Sequence, residues 1–317
     1  MNKNNDQIPK VYFLGSGHIA VAPLARLVAS GRINLVGVGT QMDRPAGRKR
    51  HLMPTPVGAW AAENNIDIDK PKTVNSEDFL SKLRGLSPDI IFVASFGQLL
   101  KTEILELPAI ACVNLHASLL PAYRGAAPII SAVVDGVSVT GITFMEIDAG
   151  LDTGPMYCAY EQVVSDERAD ELEEKLAQLG AENVEGVIEK IVSGELTPHA
   201  QDNGKSTYAA KIKKEDGKLD WNESAEVIAR KIRAFYPWPG VTFVIETPKR
   251  PLRITITEAE VLLDVLGDPG ITVLADKHEW IMACGTGALK LKKVKPEGKG
   301  EMSGPEFVRG RADLFKA

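Results

Sequence analysis

The sequence predicts an α/β protein in two parts: a mostly parallel sheet covered by helices, then a smaller antiparallel β-barrel. Two observations carry this. From Val11 to Val192, short apolar runs alternate with amphipathic segments, the pattern of strands joined by crossover helices. From Val241 to Val294 the pattern becomes short β-runs separated by Gly, Pro and Asp, as in small barrels of the OB type. A chain of 317 residues has room for two such parts, since domains run to roughly 100–200 residues.

Val11-Tyr12-Phe13-Leu14 reads as the first strand and runs into Gly15-Ser16-Gly17. A helix over about Ile19 to Ala29 follows and is closed by Gly31. Ile33 to Val38 is the second strand, and a polar loop extends from Thr40 to Thr55. Helical pattern returns at Val57 to Asn64 and Glu77 to Leu83, and strands are expected at Asp89 to Ala94 and Ala111 to Leu115. Pro128 to Val134 opens as a helix on its proline, Val139 to Ile147 is a strand, and a long helix spans Arg168 to Val192. Ser193 to Lys218 is polar and Lys-rich, as connecting chain would be. One more helix, Ala225 to Phe235, is stopped by Pro237-Trp238-Pro239-Gly240, where Trp238 reads as an aromatic anchor packed between domains. The expected division is residues 1–195, a linker over 196–210, and residues 211–317.

Composition narrows the classes. A net charge of −5 argues against a protein that coats nucleic acid indiscriminately, but leaves room for a local basic patch. Arg44, Arg48, Lys49, Arg50 and His51 supply one, with Pro45 and Gly47 as hinges. The longest apolar run, Ile90 to Ala94, falls far short of the roughly 20 residues a membrane span needs. The polar start Met1 to Gln7 predicts no secretory leader. Cys112, Cys158 and Cys284 form no motif, which fits a reducing, cytoplasmic setting with inert buried thiols.

The chemistry concentrates in Asn114-Leu115-His116-Ala117-Ser118-Leu119-Leu120-Pro121, followed by Arg124-Gly125. Residues two apart on a strand share a face, so the Asn114 amide and the His116 imidazole are expected to reach one space. They sit where a parallel strand's carboxyl end meets solvent, which is where open α/β sheets bind ligands. Asp152 lies downstream in the loop Gly150-Leu151-Asp152-Thr153-Gly154. No metal-ligand spacing and no evident nucleophile accompany the three, so the expected chemistry is acyl transfer by hydrogen bonding and proton movement, without a metal. Gly15-Ser16-Gly17-His18-Ile19-Ala20 matches a dinucleotide fingerprint in the right strand-turn-helix setting. The acidic residue that should hold the ribose is missing, since the second strand ends in Val38-Gly39-Thr40-Gln41. The glycines are therefore read as packing residues.

At these residues the chain resembles the methionyl-tRNA formyltransferase family. The stretch from Asn114 to Pro121, with Arg124-Gly125 and Ala127-Pro128-Ile129, is similar to the motif of folate-dependent formyltransferases, and Gly150 to Gly154 to their second catalytic segment. Thr40 to Arg48 with Leu52 to Val57, Thr207 to Ile212, and Ile232 to Gly240 narrow the likeness from formyltransferases in general to those acting on tRNA. The turn Gly15-Ser16-Gly17-His18, the Ser95-Phe96-Gly97 stretch, Met42 and Arg50-His51 depart from the usual pattern.

The resemblance implies a Rossmann-like N-terminal formyltransferase domain and a C-terminal OB-type domain that binds tRNA. It implies transfer of a formyl group from 10-formyltetrahydrofolate to the α-amine of initiator methionyl-tRNA in a cytoplasmic, monomeric enzyme. Asn114 and His116 would donate hydrogen bonds to the oxyanion of the tetrahedral intermediate; Asp152 would orient His116 and favour its protonated form, and the pair would take the proton shed by the attacking amine, directly or through a water. Ser118, Leu119, Leu120 and Pro121 would wall the folate pocket. Arg44, Arg48, Lys49 and Arg50 would meet acceptor-end phosphates. Lys290, Lys292, Lys293 and Lys295 read either as a second patch or as an ordinary solvated face, and on a regular strand Lys292 and Lys293 cannot share one side.

Three other readings stay open on sequence alone. A sugar-nucleotide formyltransferase would lack the Arg-Pro-Ala-Gly-Arg loop. A dinucleotide-linked oxidoreductase would need the missing acid. A non-catalytic tRNA-binding protein would not need Asn114, His116 and Asp152 together.

Overall fold

The computed structural model describes residues 8–46, 51–247 and 250–315. Strand β1 (Lys10–Gly15) leads through a 3₁₀ turn (His18–Ala20) into α1 (Val21–Val28) and β2 (Asn34–Gly39). A hairpin, β3 (Arg44–Ala46) and β4 (His51–Met53), rises out of the expected loop and precedes α2 (Pro56–Glu63), α3 (Glu77–Leu86) and β5 (Ile90–Ala94). Then come α4 (Thr102–Leu105), β6 (Ala111–His116), the two-residue β7 (Arg124–Gly125), α5 (Pro128–Asp135), β8 (Val139–Glu146), β9 (Met156–Val163) and α6 (Ala169–Ser193). The chain continues through β10 (Tyr208–Ala209), α7 (Ala225–Ala234), β11 (Val241–Ile245), β12 (Leu252–Leu262), β13 (Thr272–Ala275), β14 (Trp280–Ala283), β15 (Ala288–Pro296), β16 (Met302–Ser303) and α8 (Gly304–Gly310).

Two compact units emerge. The first holds the described residues up to Pro128, with Val139–Val163 and Leu172–Ala209; the second holds Ile129–Ser138, Val164–Glu171 and the described residues from Ala210 onward. This grouping is discontinuous, whereas the sequence suggested contiguous parts divided at 196–210. The segment expected to be a plain linker is tied into the first unit, with His199 exchanging backbone bonds with Met156 and β10 pairing parallel to β7.

The first unit is built on a six-stranded sheet in the order β2-β1-β5-β6-β8-β9. The pairs from β2 through β6 are parallel; β8 and β9 run antiparallel. β1 and β5 are buried almost throughout and read as continuous apolar runs, as strands covered on both faces do. One face packs Tyr12, Leu14, Ile91 and Val93 against Phe79 and Leu83 of α3. The other carries a row of rings: Phe13 and Phe92 with centroids 5.8 Å apart, Phe92 and Phe144 at 6.2 Å, Phe144 and Tyr160 at 6.1 Å. Strand β9 escaped the sequence reading, although Tyr157, Tyr160 and Val163 are β-favouring; its alternating burial marks a half-exposed edge.

Helix α6 covers the sheet because Gly180 lets it come close: a Cβ there would lie 2.9 Å from a Leu115 methyl and 3.2 Å from the Pro23 ring. Farther along α6, the Glu185 carboxylate is buried and receives Arg26, Ser30 and Arg32 from the end of α1 and the turn after it, with Arg32 Nε 3.2 Å away. The second unit is an antiparallel, OB-like sheet in the order β11-β12-β15-β14-β13, with β16 beside β15. Its core is aromatic. Trp280 is fully buried and stacks on Phe307 at 5.1 Å, with Phe243 at 6.0 Å and Phe315 at 5.4 Å. Phe307 arrives on α8, a short helix capped by Ser303, which accepts from Glu306 N at 3.3 Å. The sequence reading did not anticipate this helix.

Burial pushes the Glu185 carboxyl up, but hydrogen bonds from Ser30, Arg32 and Arg26 outweigh it and hold it below its ordinary value. Its contribution to stability is therefore complete above the ordinary carboxyl range and fades as pH falls through the lowered folded value. Glu185→Ala is expected to cost about 1–3 kcal/mol in urea unfolding near neutral pH. The deficit should shrink when the titration is repeated in acid.

Candidate active site

The site forms along the carboxyl edge of the parallel strands, where three loops are tied together. After β1, Gly17 N donates to Ser95 O at 3.2 Å, and Ser16 Oγ accepts from Gln41 N at 3.1 Å. Ser16 and Thr40 hydroxyls are 3.2 Å apart, Thr40 and Thr55 hydroxyls 2.6 Å. Gln41 donates to Phe96 O and accepts from Arg44, so the base of the β3–β4 hairpin is fixed to the loop after β5. The glycines of the first turn are packing residues, as expected: a Cβ on Gly17 would sit 2.4 Å from Ser95 Oγ. Moreover, the helix start that would receive a pyrophosphate is already taken, because Ile19 N donates to Glu173 Oε1 of α6 at 3.2 Å.

Asn114 and His116 share a face of β6, opposite Met145 and Thr143 of β8. His116 is 6 % exposed and Asn114 half-buried. Among the described residues the Asn114 amide has no hydrogen-bond partner. The His116 ring is committed at both nitrogens. Nε2 lies 2.9 Å from Tyr123 O, and since a carbonyl only accepts, the proton of the neutral ring belongs on Nε2. Nδ1 lies 3.6 Å from Asp152 Oδ1, too long for a hydrogen bond but within electrostatic reach. With Nε2 on Tyr123 O, the nitrogen left to face the site is Nδ1, which carries a proton only when the ring is protonated.

Asp152 adopts a left-handed φ of +53°, unusual for a residue with a side chain. Several bonds hold it there. Its Oδ2 accepts from Gly125 N at 2.8 Å, and its carbonyl accepts from Gln201 Nε2 at 2.9 Å. The loop ahead is braced by Asp148, which accepts from Gly150 N at 3.0 Å and Thr153 Oγ1 at 2.8 Å. Gly154 closes it against β8; a Cβ there would lie 1.9 Å from Glu146 O. Gly125 is needed twice, for its φ of +116° and because a Cβ would meet Ala209 O at 2.6 Å.

The folate-wall candidates divide. Ser118 is fully buried and its hydroxyl donates to Ala122 O at 2.6 Å; Leu120 is 7 % exposed, with its N–H on Thr143 Oγ1 at 3.0 Å. The Ser118 hydroxyl and the Leu120 N–H hold the loop in place. Leu119 and Pro121 are half-buried. Of the basic residues, Arg44 is exposed on the hairpin, while Arg48, Lys49 and Arg50 lie outside the described residues. The second patch is largely charge-compensated. Lys290 meets Glu279, Lys292 lies 3.7 Å from Glu258, and Lys293 lies 2.9 Å from it. Compensating register shifts at Glu258 break the alternation, so the neighbours Lys292 and Lys293 are both exposed, contrary to strict strand periodicity. Lys295 is exposed. Trp238, expected to be packed away, is 55 % exposed, while Arg168 lies 4.1 Å over the Tyr236 ring.

Sequence reading placed Arg124 in the motif without giving it a role, and missed Gln201 and Asn203 as parts of the site. Arg124 is buried, and its guanidinium donates to Gln201 Oε1 at 3.0 and 2.7 Å and to Asn203 Oδ1 at 2.8 Å. No pattern in the polar stretch after α6 announces this; only the β7–β10 pairing brings it there.

The family models for formyl transferase and for the formyl transferase C-terminal domain match residues 9–188 and 211–312. A methionyl-tRNA formyltransferase of Geobacter metallireducens is 37 % identical over 95 % of both chains, and one of Thermodesulfovibrio yellowstonii is 39 % identical over 95 % of this chain and 96 % of its own. The chain belongs to the methionyl-tRNA formyltransferase family. Solved structures share its fold at lower identity. The N-formyltransferase of Helicobacter canadensis, in complex with folinic acid and dTDP-3-aminofucose, superposes with a TM-score of 0.64 at 18 % identity, over 90 % of this chain and 99 % of that one. HypX of Aquifex aeolicus with tetrahydrofolic acid gives 0.61 at 14 % identity; this chain spans 95 % of its own length but only 47 % of HypX. Among the described residues of this family member, no helix is long and apolar enough to cross a membrane.

The ring geometry has a direct readout. Long-range ¹⁵N–¹H spectra of the neutral His116 ring are expected to show the proton on Nε2. A dominant Nδ1–H form would contradict the bond to Tyr123 O.

Proposed function

We propose that the protein formylates initiator methionyl-tRNA, moving the formyl group of 10-formyltetrahydrofolate to the α-amine of the esterified methionine. Full-length relatives carrying that name support this, and the site supports the chemistry. The observation that carries the mechanism is an uncommitted, half-buried Asn114 amide beside a His116 ring whose Nδ1 faces a carboxylate. The amine attacks the formyl carbon, the carbonyl oxygen becomes an oxyanion, and the Asn114 N–H donates to it. One such donor is worth about 3–4 kcal/mol of barrier. The proton shed by the amine goes to Nδ1 of His116, directly or through a water, and the imidazolium formed is held by Asp152. Collapse breaks the bond from the carbon to N10, which takes that proton back from the His116 imidazolium and leaves as the neutral secondary amine of tetrahydrofolate, restoring the neutral ring.

Leu119 and Pro121 line the folate side, and Arg44, Arg48, Lys49 and Arg50 grip acceptor-end phosphates. Residues 1–195 are assigned the chemistry and 211–317 additional tRNA contacts, joined through 196–210. The protein acts as a cytoplasmic monomer and uses no metal. Against a sugar substrate stands the basic Arg-Pro-Ala-Gly-Arg segment, Arg44 to Arg48.

Incubation with 10-formyltetrahydrofolate and charged initiator tRNA should yield formyl-methionyl-tRNA. His116→Ala and Asp152→Asn should each lower turnover by about 10²–10⁴-fold in protein that remains folded. Near-wild-type rates in folded variants would sink the assignment. Separately, Arg44→Ala and Arg48→Ala should weaken tRNA binding and each flatten the salt dependence, in a plot of log K against log salt, by about 0.7–0.9 per lost phosphate contact. An unchanged slope would remove that residue from the interface.

A further inference from the structure

The Gln201 carboxamide uses all of its hydrogen-bonding capacity inside the site. Its Nε2 donates to Asp152 O at 2.9 Å and to Gly154 O at 2.7 Å. Its Oε1 accepts from Arg124 Nε at 3.0 Å and Nη2 at 2.7 Å. One end therefore grips the loop that carries Asp152, and the other grips the strand whose next residue, Gly125, donates its N–H to the Asp152 carboxylate. Two separate pieces of chain fix that carboxylate, and Gln201 is the side chain that spans them. The Asp152 backbone is in a left-handed conformation, a state that surrounding contacts must enforce. Asn203 completes the arrangement by accepting from Arg124 Nη2 at 2.8 Å, and it donates nothing to the Asp152 loop.

We propose that Gln201 is a positioning residue for formyl transfer: it sets the angle at which Asp152 faces His116 Nδ1. This rests on the roles given above to Asp152 and His116. Only an uncharged amide of this length satisfies both ends. A carboxylate would keep Arg124 but set an anion against two carbonyl oxygens; an apolar side chain would release both. Because Gln201 acts through Asp152, its removal affects the rate and leaves the affinity for either substrate alone. Once the Asp152 carboxylate is gone, its removal has nothing further to disturb.

The test is a double-mutant cycle of Gln201→Glu and Asp152→Asn, read as single-turnover formylation at saturating substrates, with KM values and melting temperatures measured alongside. Gln201→Glu alone is expected to slow the reaction about 10- to 100-fold, the loss typical of misplacing a reacting group by up to an ångström. Both KM values should stay within about twofold. In the Asp152→Asn background the same change should cost less than about twofold. Multiplicative losses, a wild-type rate, or a loss confined to KM or to melting temperature would overturn the positioning role. A wild-type rate for Asp152→Asn alone would instead sink the underlying assignment of Asp152, and with it this proposal. If Gln201→Glu does not fold, Gln201→Asn runs the same cycle: it keeps both polar ends and is one methylene too short to join them.

Discussion

The candidate site depends on how one carboxylate is shared. Asp152 gives one oxygen to the Gly125 N–H and turns the other toward His116 Nδ1. That sharing is possible only if three stretches distant in sequence come together: the end of β6, the two-residue strand β7 and the loop before β9. The sheet supplies the first. Pairing of β7 with β10 supplies the second, and a glycine at 154 that tolerates a carbonyl almost on top of it supplies the third. The Nε2 contact to Tyr123 O then leaves the ring a single orientation in which to meet the carboxylate. Preorganisation of this kind matters because dipoles already in place need no reorganisation when charge develops.

The sequence announced the fold where burial is two-sided or periodic. Lys10–Gly15 and Ile90–Ala94 are unbroken apolar runs, and Ala225–Ala234 opens on a Ser cap and stops before proline, so their positions were legible within a residue or two. Strand β9 and helix α8 were not. The first mixes Glu161 and Gln162 into an edge whose identity comes from its neighbour β8, and the second is seven residues long and earns its place by delivering Phe307 to Trp280. Local propensity carries little information about elements whose stability comes from the partner.

The chemistry was legible in the same uneven way. Asn114, His116 and Asp152 stood out because amide, imidazole and carboxylate at a strand end have few structural uses. Which ring nitrogen faces Asp152 was not visible, because it turns on a backbone carbonyl, Tyr123 O, that no side-chain pattern encodes. Gln201 and Asn203 were invisible for a related reason: polar residues in a polar stretch look like solvated chain until the pairing of β10 places them against Arg124. The lysines of β15 left two readings open in one dimension, a binding patch or a solvated face; in three, carboxylates on β12 and just before β14 answer most of their charge.

The Glu173 carboxylate on the Ile19 N–H bears on molecules this protein must ignore. A glycine turn that leads from a strand into a helix is an open invitation to diphosphates, and dinucleotides are among the most abundant solutes a cell contains. Here the positive end of that turn is occupied from within, by an anion covalently attached to the same chain and therefore present at a concentration no solute can match. The backbone donor that a diphosphate would seek at this turn is therefore already bonded once the chain has folded.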